Sequence, residues 1–343
     1  MGQDLAPPSA APQQTRGPRP LPLFLALLRD AALRNPELGQ RALAGLRRYQ
    51  ESAPPPPRAQ RPVLASVGGA SLRDCGGEGA TLILVPSLIN PPDILDLDPD
   101  CSLAEALAAR HRVLLLDWGP AAARAQLDLV GHVEALLLPL LANAGPATLV
   151  GYCLGGTLSL AAAARDELAA AVVTLASPWR FDAYPDEATD VLARLWRESL
   201  PVARQLGFLP MELLQTAFWQ IDPERIVTKF ARFADAAQGS TEARRFVALE
   251  DWANGGEALP LPAARALVED LFVARKAGLG PLPACPALHV TARGDRIVPA
   301  ATRAPGEGID LPAGHVGMVV GRDAARLLHR PLLQWLEGPG RPR

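Results

Sequence analysis

The sequence predicts a doubly wound α/β domain with a mostly parallel sheet and a helical insertion late in the chain. Near-continuous apolar runs are typical of parallel strands buried on both faces, and helix-like patterns separate most of these runs, which predicts βαβ order. Residues 185–283 break the alternation with several helix-like runs and no convincing strand. The five predicted strands are TLILVP (81–86), RVLLLDW (112–118), ATLVGY (147–152), AAVVTLAS (170–177) and ALHVTA (287–292).

The amino-acid composition narrows the class of protein. The chain has 343 residues, 49% of them hydrophobic, so one large α/β domain with an insertion, or two small domains, can bury a sizeable core. A formal net charge of −2, few aromatic residues and no basic stripe argue against nucleic-acid binding. The four scattered cysteines have no zinc spacing, so we expect no metal site and a reducing, cytoplasmic location.

The N-terminal region is predicted in two parts. Residues 1–20 are polar and rich in Pro, Gln and Ala, which predicts a disordered tail. Residues 21–60 comprise a helical segment from Leu21 to about Tyr49, with a break near Asn35–Pro36, and the stiff Pro-rich linker APPPPRAQRP, which begins at residue 53. The apolar start of this segment continues into Arg29–Asp30, which favours an amphipathic helix over a signal peptide. No apolar run is long enough to predict a transmembrane helix.

The remaining residues divide into a core at 61–184 and 284–343 and an insertion at 185–283. Ligands of open α/β sheets bind at the carboxyl ends of the strands, so we expect the insertion to form a helical cap over that edge. The helices predicted within the core are Leu103–Arg110, Ala121–Asn143, Thr157–Ala169 and Asp323–Leu336.

The hexapeptide GYCLGG places Cys153 between a predicted strand and a predicted helix. Gly-x-nucleophile-x-Gly at such a junction is typical of a nucleophile elbow, in which small residues two positions before and after allow close backbone packing. Gly151 and Gly155 occupy these positions. A buried, inert cysteine on an ordinary turn is the alternative, so the partners of Cys153 decide its role.

The partners follow in the chain order that an elbow of this kind requires, acid and then histidine. Asp295 lies in the loop after the last predicted strand, and His315 follows a glycine in the loop before the last predicted helix. We expect His315 to take the proton of Cys153, and Asp295 to fix the tautomer of His315. The other histidines, which fit less well at strand starts or on helices, are His111, His132, His289 and His329.

Two main-chain N–H groups are expected to bind the oxyanion. The first belongs to Leu154, directly after the nucleophile. The second should come from the loop after the strand TLILVP, where Ser87 and Leu88 are the candidates. A thioester acyl-enzyme on Cys153 then follows, which suits transfer of acyl groups between sulfur and oxygen.

Three motifs resemble those of polyhydroxyalkanoate synthases, the polymerases of bacterial storage polyester. The first is the Pro-rich loop VPSLINPPDILDL at residues 85–97, and the second is GYCLGGT at residues 151–157. The third joins Gly294–Asp295 and the following IVP to Gly314–His315. The resemblance spans roughly residues 60–340.

The resemblance implies an α/β-hydrolase fold with a cap and catalysis by Cys153, Asp295 and His315. It also implies (R)-3-hydroxyacyl-CoA as substrate, ester formation with release of CoA, and no cofactor apart from the CoA thioester itself. Within these motifs, Ile89, Asn90 and Tyr152 are the residues expected to bind substrate. The family's small catalytic subunits imply a second copy or a second synthase subunit as partner, and a polyester granule as the surface it works on.

Two other functions stay open at this stage. GYCLGG also resembles the elbow of dienelactone hydrolases, so a Cys-dependent lactonase or acyl-CoA thioesterase is the second reading. A non-catalytic, granule-associated binding protein is the third, although such a protein has no need of all three catalytic residues. The chain also departs from the synthases at Arg296, where the family usually has histidine after the acid.

Overall fold

The structure is a computed structural model that describes residues 17–56 and 58–338. It divides into two compact units. Residues 17–54 and 224–247 form the helical unit, and residues 55–223 and 248–338 form the sheet unit, which carries every predicted site residue. Residues 1–16 of the predicted tail lie outside the described residues, and the boundaries expected for core and cap stay predictions.

Ten strands lie within the described residues. Eight of them form one sheet in the order β1-β2-β4-β3-β5-β6-β9-β10, and β7 and β8 pair antiparallel with each other. Their bounds are β1 Val63–Val67, β2 Ala70–Gly76, β3 Thr81–Val85, β4 Arg112–Asp117, β5 Ala147–Tyr152, β6 Ala169–Leu175, β7 Phe208–Leu209, β8 Leu259–Pro260, β9 Ala287–Ala292 and β10 Gly308–Leu311.

The five strands predicted from the sequence are confirmed as β3, β4, β5, β6 and β9, which lie side by side and pair in parallel. Three strands of the sheet were missed. β1 and β2 form an antiparallel extension beyond β4, and β10 adds to β9 at the opposite edge. An edge strand is covered less completely, so it lacks the continuous apolar run of a central strand. Val63 in β1, for example, is 59% exposed.

Thirteen α-helices occur in the described ranges, with short 3₁₀ and π turns between some of them. Their bounds are α1 Leu21–Arg34, α2 Pro36–Glu51, α3 Leu103–Ala108, α4 Leu129–His132, α5 Leu138–Ala144, α6 Leu154–Ala163, α7 Asp186–Leu206, α8 Met211–Ile221, α9 Pro223–Asp235, α10 Thr241–Asn254, α11 Leu261–Arg265, α12 Gly317–Val320 and α13 Arg330–Leu336.

Several helices differ from the sequence prediction; the helix predicted over Asp323–Leu336, for example, is divided into a π turn at Ala325–His329 and α13. α6 begins at Leu154, not at Thr157, because the chain turns into the helix directly after Cys153. The single helix predicted over 121–143 is divided into a 3₁₀ turn, α4, a π turn and α5. The division has a local cause: the Asp128 side chain accepts the N–H of Gly131 at 2.7 Å and caps a new helix at that point.

The segment predicted as a helical insertion contains the helices α7 to α11. It also contains β7 and β8, which the sequence analysis missed because strands of two residues show no periodicity. No helix in the described parts of the chain is both long and apolar enough to cross a membrane.

The helical unit is held together by aromatic side chains. The break predicted between its first two helices is confirmed at Asn35, whose side chain accepts the N–H of Leu38. The ring of Phe24 lies 4.7 Å from that of Phe230, and Phe233 stacks on Phe246. Edge-to-face and offset pairs of this kind stabilise a core beyond the area that they bury.

The Pro-rich linker is fixed to the sheet unit by a buried carboxylate. Asp96, in the 3₁₀ turn Pro92–Asp96, accepts hydrogen bonds from Arg58 and Arg61 of the linker and from the hydroxyl of Ser102. Asp96 is buried, whereas Glu105, which pairs with the same two arginines, is 42% exposed. The DILDL end of the loop motif therefore stabilises the fold, because its Asp96 connects the linker to the loop after β3.

Replacing Asp96 by Asn should destabilise the sheet unit by about 3 kcal/mol, because two partly buried guanidinium groups lose their main carboxylate partner. Urea unfolding followed by circular dichroism measures the change. Glu105→Gln is the matched control and should cost less than about 1 kcal/mol, because its carboxylate is exposed to solvent. Equal losses for the two variants would contradict the assignment of Asp96 as the anchor.

Candidate active site

Cys153 occupies a strained turn between β5 and α6. Its φ is 54° and its ψ is −129°, a conformation that L-residues rarely adopt, and its N–H donates to the carbonyl of Leu175 at 2.9 Å. A Cβ atom on Gly155 would lie 2.1 Å from the carbonyl oxygen of Val85, and one on Gly151 would lie 2.3 Å from the Cα of Gly156. The elbow predicted from GYCLGG is therefore confirmed as a backbone geometry that requires glycine at both positions.

Asp295 and His315 meet at the same edge of the sheet, after β9 and β10 respectively. Oδ1 of Asp295 accepts the main-chain N–H groups of Ile297 and Val298 at 2.8 and 2.9 Å. Its other oxygen, Oδ2, lies 2.6 Å from Nδ1 of His315. Both side chains are buried. The carboxylate is therefore held by its own loop and directs the imidazole ring.

The second ring nitrogen of His315 is available to the nucleophile. Nδ1 faces Asp295, and the sulfur of Cys153 is near enough to the His315 ring to interact with it electrostatically. Burial alone would lower the pKa of His315, but the sulfur of Cys153 and the carboxylate of Asp295 together raise that pKa to about 10. The ring is thus an imidazolium at neutral pH, and a cation in this position stabilises a thiolate.

Two buried tyrosines support the loops that carry the acid and the histidine. The hydroxyl of Tyr152 donates to the carbonyl of His315 at 3.3 Å, and that of Tyr184 donates to the carbonyl of Ile297 at 3.1 Å. Burial raises the pKa of both phenols, so both remain hydrogen-bond donors. Tyr152 is only 2% exposed, and its role in substrate binding stays a prediction.

Tyr184 was missed by the sequence analysis, although a signal for it exists. It lies nine residues after the end of β6, in the connection that leaves the carboxyl end of that strand, and such connections line the ligand-binding edge. Its hydroxyl binds the carbonyl of Ile297, in the loop whose N–H groups also bind the Asp295 carboxylate. Arg296, at the position where the sequence departs from the synthases, pairs with Asp222 at 3.2 Å.

The loop after β3 lies against the elbow, where the second oxyanion donor was predicted. A Cβ atom on Gly155 would come within 2.5 Å of the carbonyl oxygen of Pro86, so α6 and this loop are in contact. Leu154 is the first residue of α6, and its N–H consequently has no acceptor within the helix. Leu88 is buried two residues beyond Pro86. The role of the Leu88 and Leu154 N–H groups as oxyanion donors stays a prediction.

A cavity of about 320 Å³ opens on the other residues of this loop. Ser87, Leu88, Ile89 and Asn90 form part of its wall, together with charged side chains from β2, β4 and the following turn. Cys153, Asp295 and His315 are not among its lining residues. The predicted substrate residues Ile89 and Asn90 thus border a cavity beside the loop, whereas Tyr152 lies beside His315.

By sequence, the chain is similar to two curated proteins that have the same name. No family model matches the chain. The chain is 26% identical over 273 residues to the poly(3-hydroxyalkanoate) polymerase subunit PhaC of Haloferax mediterranei, which covers 70% of this chain and 55% of that protein. It is 27% identical over 218 residues to the subunit of the same name of Haloarcula marismortui, covering 61% and 46%. The chain spans about half the length of these curated relatives.

Solved structures identify the fold. An epoxide hydrolase from Bacillus megaterium superposes with a TM-score of 0.53 at 12% identity, covering 81% of this chain and all of that chain. A bacterial membrane phospholipase A superposes with a TM-score of 0.51 at 18% identity, covering 92% of both chains. The sheet unit has the α/β-hydrolase fold, as the sequence motifs implied.

Replacing His315 by Gln should slow alkylation of Cys153 by iodoacetamide roughly tenfold or more at pH 7, because an ordinary thiol is only a few per cent ionised there. The pH dependence follows from the pKa of about 10. The imidazolium accelerates the wild type at pH 7 to 9. Above pH 10 it loses its charge while thiols ionise unaided, so the two proteins should converge.

The other cysteines provide internal controls, which mass spectrometry of labelled peptides resolves. Burial raises the pKa of Cys75 to about 12 and also raises that of Cys285, so both should be labelled more slowly than Cys153 at pH 7. Equal labelling of Cys153 and Cys285, or an unchanged rate in His315→Gln, would contradict an activated thiolate.

Proposed function

We propose that this chain is an acyltransferase that polymerises (R)-3-hydroxyacyl-CoA into polyhydroxyalkanoate through a thioester on Cys153. The observation that carries the proposal is the convergence of the strained Cys153 with the buried His315–Asp295 pair at one edge of the sheet. The similarity to two poly(3-hydroxyalkanoate) polymerase subunits supports the choice of substrate.

The first half-reaction loads the enzyme. The sulfur of Cys153 attacks the thioester carbonyl, and the N–H groups of Leu154 and Leu88 stabilise the oxyanion. Collapse of the tetrahedral intermediate breaks the bond between the carbonyl carbon and the CoA sulfur. His315 gives its Nε2 proton to the departing sulfur, so CoA leaves as the thiol and His315 becomes neutral.

The second half-reaction forms the ester. The hydroxyl of another 3-hydroxyacyl group gives its proton to Nε2 of His315 while its oxygen attacks the acyl carbon on Cys153. The new carbon–oxygen bond lengthens the chain by one unit, and the thiolate of Cys153 is released beside the regenerated imidazolium. Asp295 keeps Nδ1–H directed toward itself throughout, so Nε2 alone exchanges protons with the reactants.

The surroundings of the reaction belong to the same proposal. The CoA thioester is the substrate, and no resident cofactor takes part in these steps. The two relatives are named as polymerase subunits and are about twice as long as the matched region. We therefore propose that the chain works with a second copy or a second subunit, in the cytoplasm at the surface of the growing granule.

Incubation with (R)-3-hydroxybutyryl-CoA, with free CoA and precipitated polymer measured in parallel, tests the proposal. Polymer formed together with CoA is expected from the wild type and not from Cys153→Ala, whereas Cys75→Ala should be active because Cys75 is buried in β2. Asp295→Asn should lower the rate by about 10³ or more, since the wrong tautomer of His315 is favoured.

The other outcomes have defined meanings. CoA release with free 3-hydroxybutyrate would replace the polymerase by a thioesterase, since water then takes the acyl group. Hydrolysis of a dienelactone with no CoA release would indicate the lactonase. Absence of CoA release from the wild type would refute the enzyme for this substrate and favour a non-catalytic granule-binding protein. CoA release that survives Cys153→Ala would refute the thioester on Cys153.

A further inference from the structure

Arg124 is a buried arginine beside the loop after β3, and its hydrogen-bond acceptors are neutral groups. Arg124 is 3% exposed. In the part of the chain that the structure describes, its hydrogen bonds run to neutral acceptors: Nη2 to the carbonyl of Leu88 at 3.1 Å, Nη1 to Nε2 of His132 at 3.2 Å, and Nε to the carbonyl of Gly119 at 3.4 Å. Glu257 and Asp117 attract the guanidinium through space. Burying a charged group without a hydrogen-bonded carboxylate costs desolvation free energy. We therefore expect Arg124 to have a role that offsets this cost.

His132 is fixed in the one state that can accept from Arg124. Its Nδ1 lies 2.6 Å from the carbonyl of Asp128, and because a carbonyl only accepts, Nδ1 carries the proton. Nε2 is left with the lone pair that faces Arg124. Burial, opposed by the Asp128 hydrogen bond and helped by the Arg124 charge, lowers the pKa of His132 to about 4, so the ring is neutral at physiological pH. Its tautomer is therefore determined by α4.

Hydrogen bonds hold both ends of the loop segment from Pro86 to Leu88, and Arg124 forms the one at Leu88. The indole of Trp118 donates to the carbonyl of Pro86 at 3.0 Å, and the same indole makes an edge contact with His132. The carbonyls of Pro86 and Leu88 lie on either side of the peptide that joins Ser87 to Leu88. With both carbonyls bound, the two peptides that flank it are held in place, which restricts the orientations open to the Leu88 N–H.

We propose that Arg124, itself oriented by His132, is a positioning residue that directs the Leu88 N–H toward the oxyanion formed at Cys153. The inference rests on the proposed function, since it needs an acyl-enzyme at Cys153. It adds a chain of contacts from α4 to the oxyanion site: Asp128 carbonyl, His132, Arg124 and Leu88 carbonyl. Preorganised donors of this kind are costly to misplace, because removing one slows acyl transfer by about 10²–10³.

Two rates at the same sulfur separate positioning from folding. Acylation of Cys153 by p-nitrophenyl butyrate, followed as a burst of p-nitrophenolate, passes through an oxyanion. Alkylation of Cys153 by iodoacetamide is a displacement at an sp³ carbon and forms none. Arg124→Met should slow acylation at least about tenfold and leave the alkylation rate within about twofold of the wild type.

Variants of His132 and a distant arginine complete the test. His132→Leu removes the acceptor for Arg124 and should slow acylation in the same selective way. His132→Gln offers its amide oxygen near the position of Nε2 and should recover most of the rate. Arg165→Met is the matched control, because Arg165 also donates to two main-chain carbonyls, those of Ala161 and Leu279, far along α6 from the elbow. It should leave both rates unchanged.

Wild-type acylation by Arg124→Met, or an equal loss of acylation and alkylation, overturns the inference. The probe ester requires only Cys153, so the inference stands if acylation falls selectively while no polymer forms from 3-hydroxybutyryl-CoA, an outcome that refutes only the proposed function. A burst that is missing from the wild type, or that survives Cys153→Ala, overturns both.

Discussion

The close packing of Gly155 against the carbonyls of Val85 and Pro86 is the constraint on which the site depends. Because no Cβ fits there, α6 approaches the end of β3 more closely than an ordinary helix could. That approach puts the start of α6 and the loop after β3 side by side, so N–H groups from two different elements can face one point in space. Cys153, at the turn between β5 and α6, has a positive φ of 54°.

The polar groups near the Cys153 sulfur are buried, and each has hydrogen-bond partners within the protein. The buried Asp295 carboxyl group is satisfied by two main-chain N–H groups and by His315. The tyrosine hydroxyls donate to carbonyls and so carry no charge into the site. Arg124 shows the opposite arrangement, a buried cation whose hydrogen bonds run to neutral groups. Asp295 and Arg124 have one feature in common: each side chain forms hydrogen bonds with the backbone of a loop.

The sequence was sufficient to predict the central strands and the proximity of Cys153, Asp295 and His315, for different reasons. The five central parallel strands are buried on both faces. Each therefore consists of a near-continuous apolar run, which the sequence shows directly. Cys153, Asp295 and His315 could be found because chain order and strand ends constrain where an elbow's partners lie. β1 and β10 could not be found in this way, since their pairing depends on a neighbour and not on their own apolar content.

Other features depend on contacts between distant residues, which no local pattern records. Arg124 lies in the Ala-rich stretch AAARAQ and resembles a solvated surface residue until the fold brings His132 and Leu88 to it. The hydroxyls of Tyr152 and Tyr184 are both committed to carbonyls, so neither is placed to activate an acceptor. In the proposed mechanism, His315 is then the residue that takes the proton from the acceptor hydroxyl. Whether water or a hydroxyacyl group receives the acyl chain is decided by which hydroxyl reaches Nε2, and therefore by the residues that surround that nitrogen and not by the triad itself.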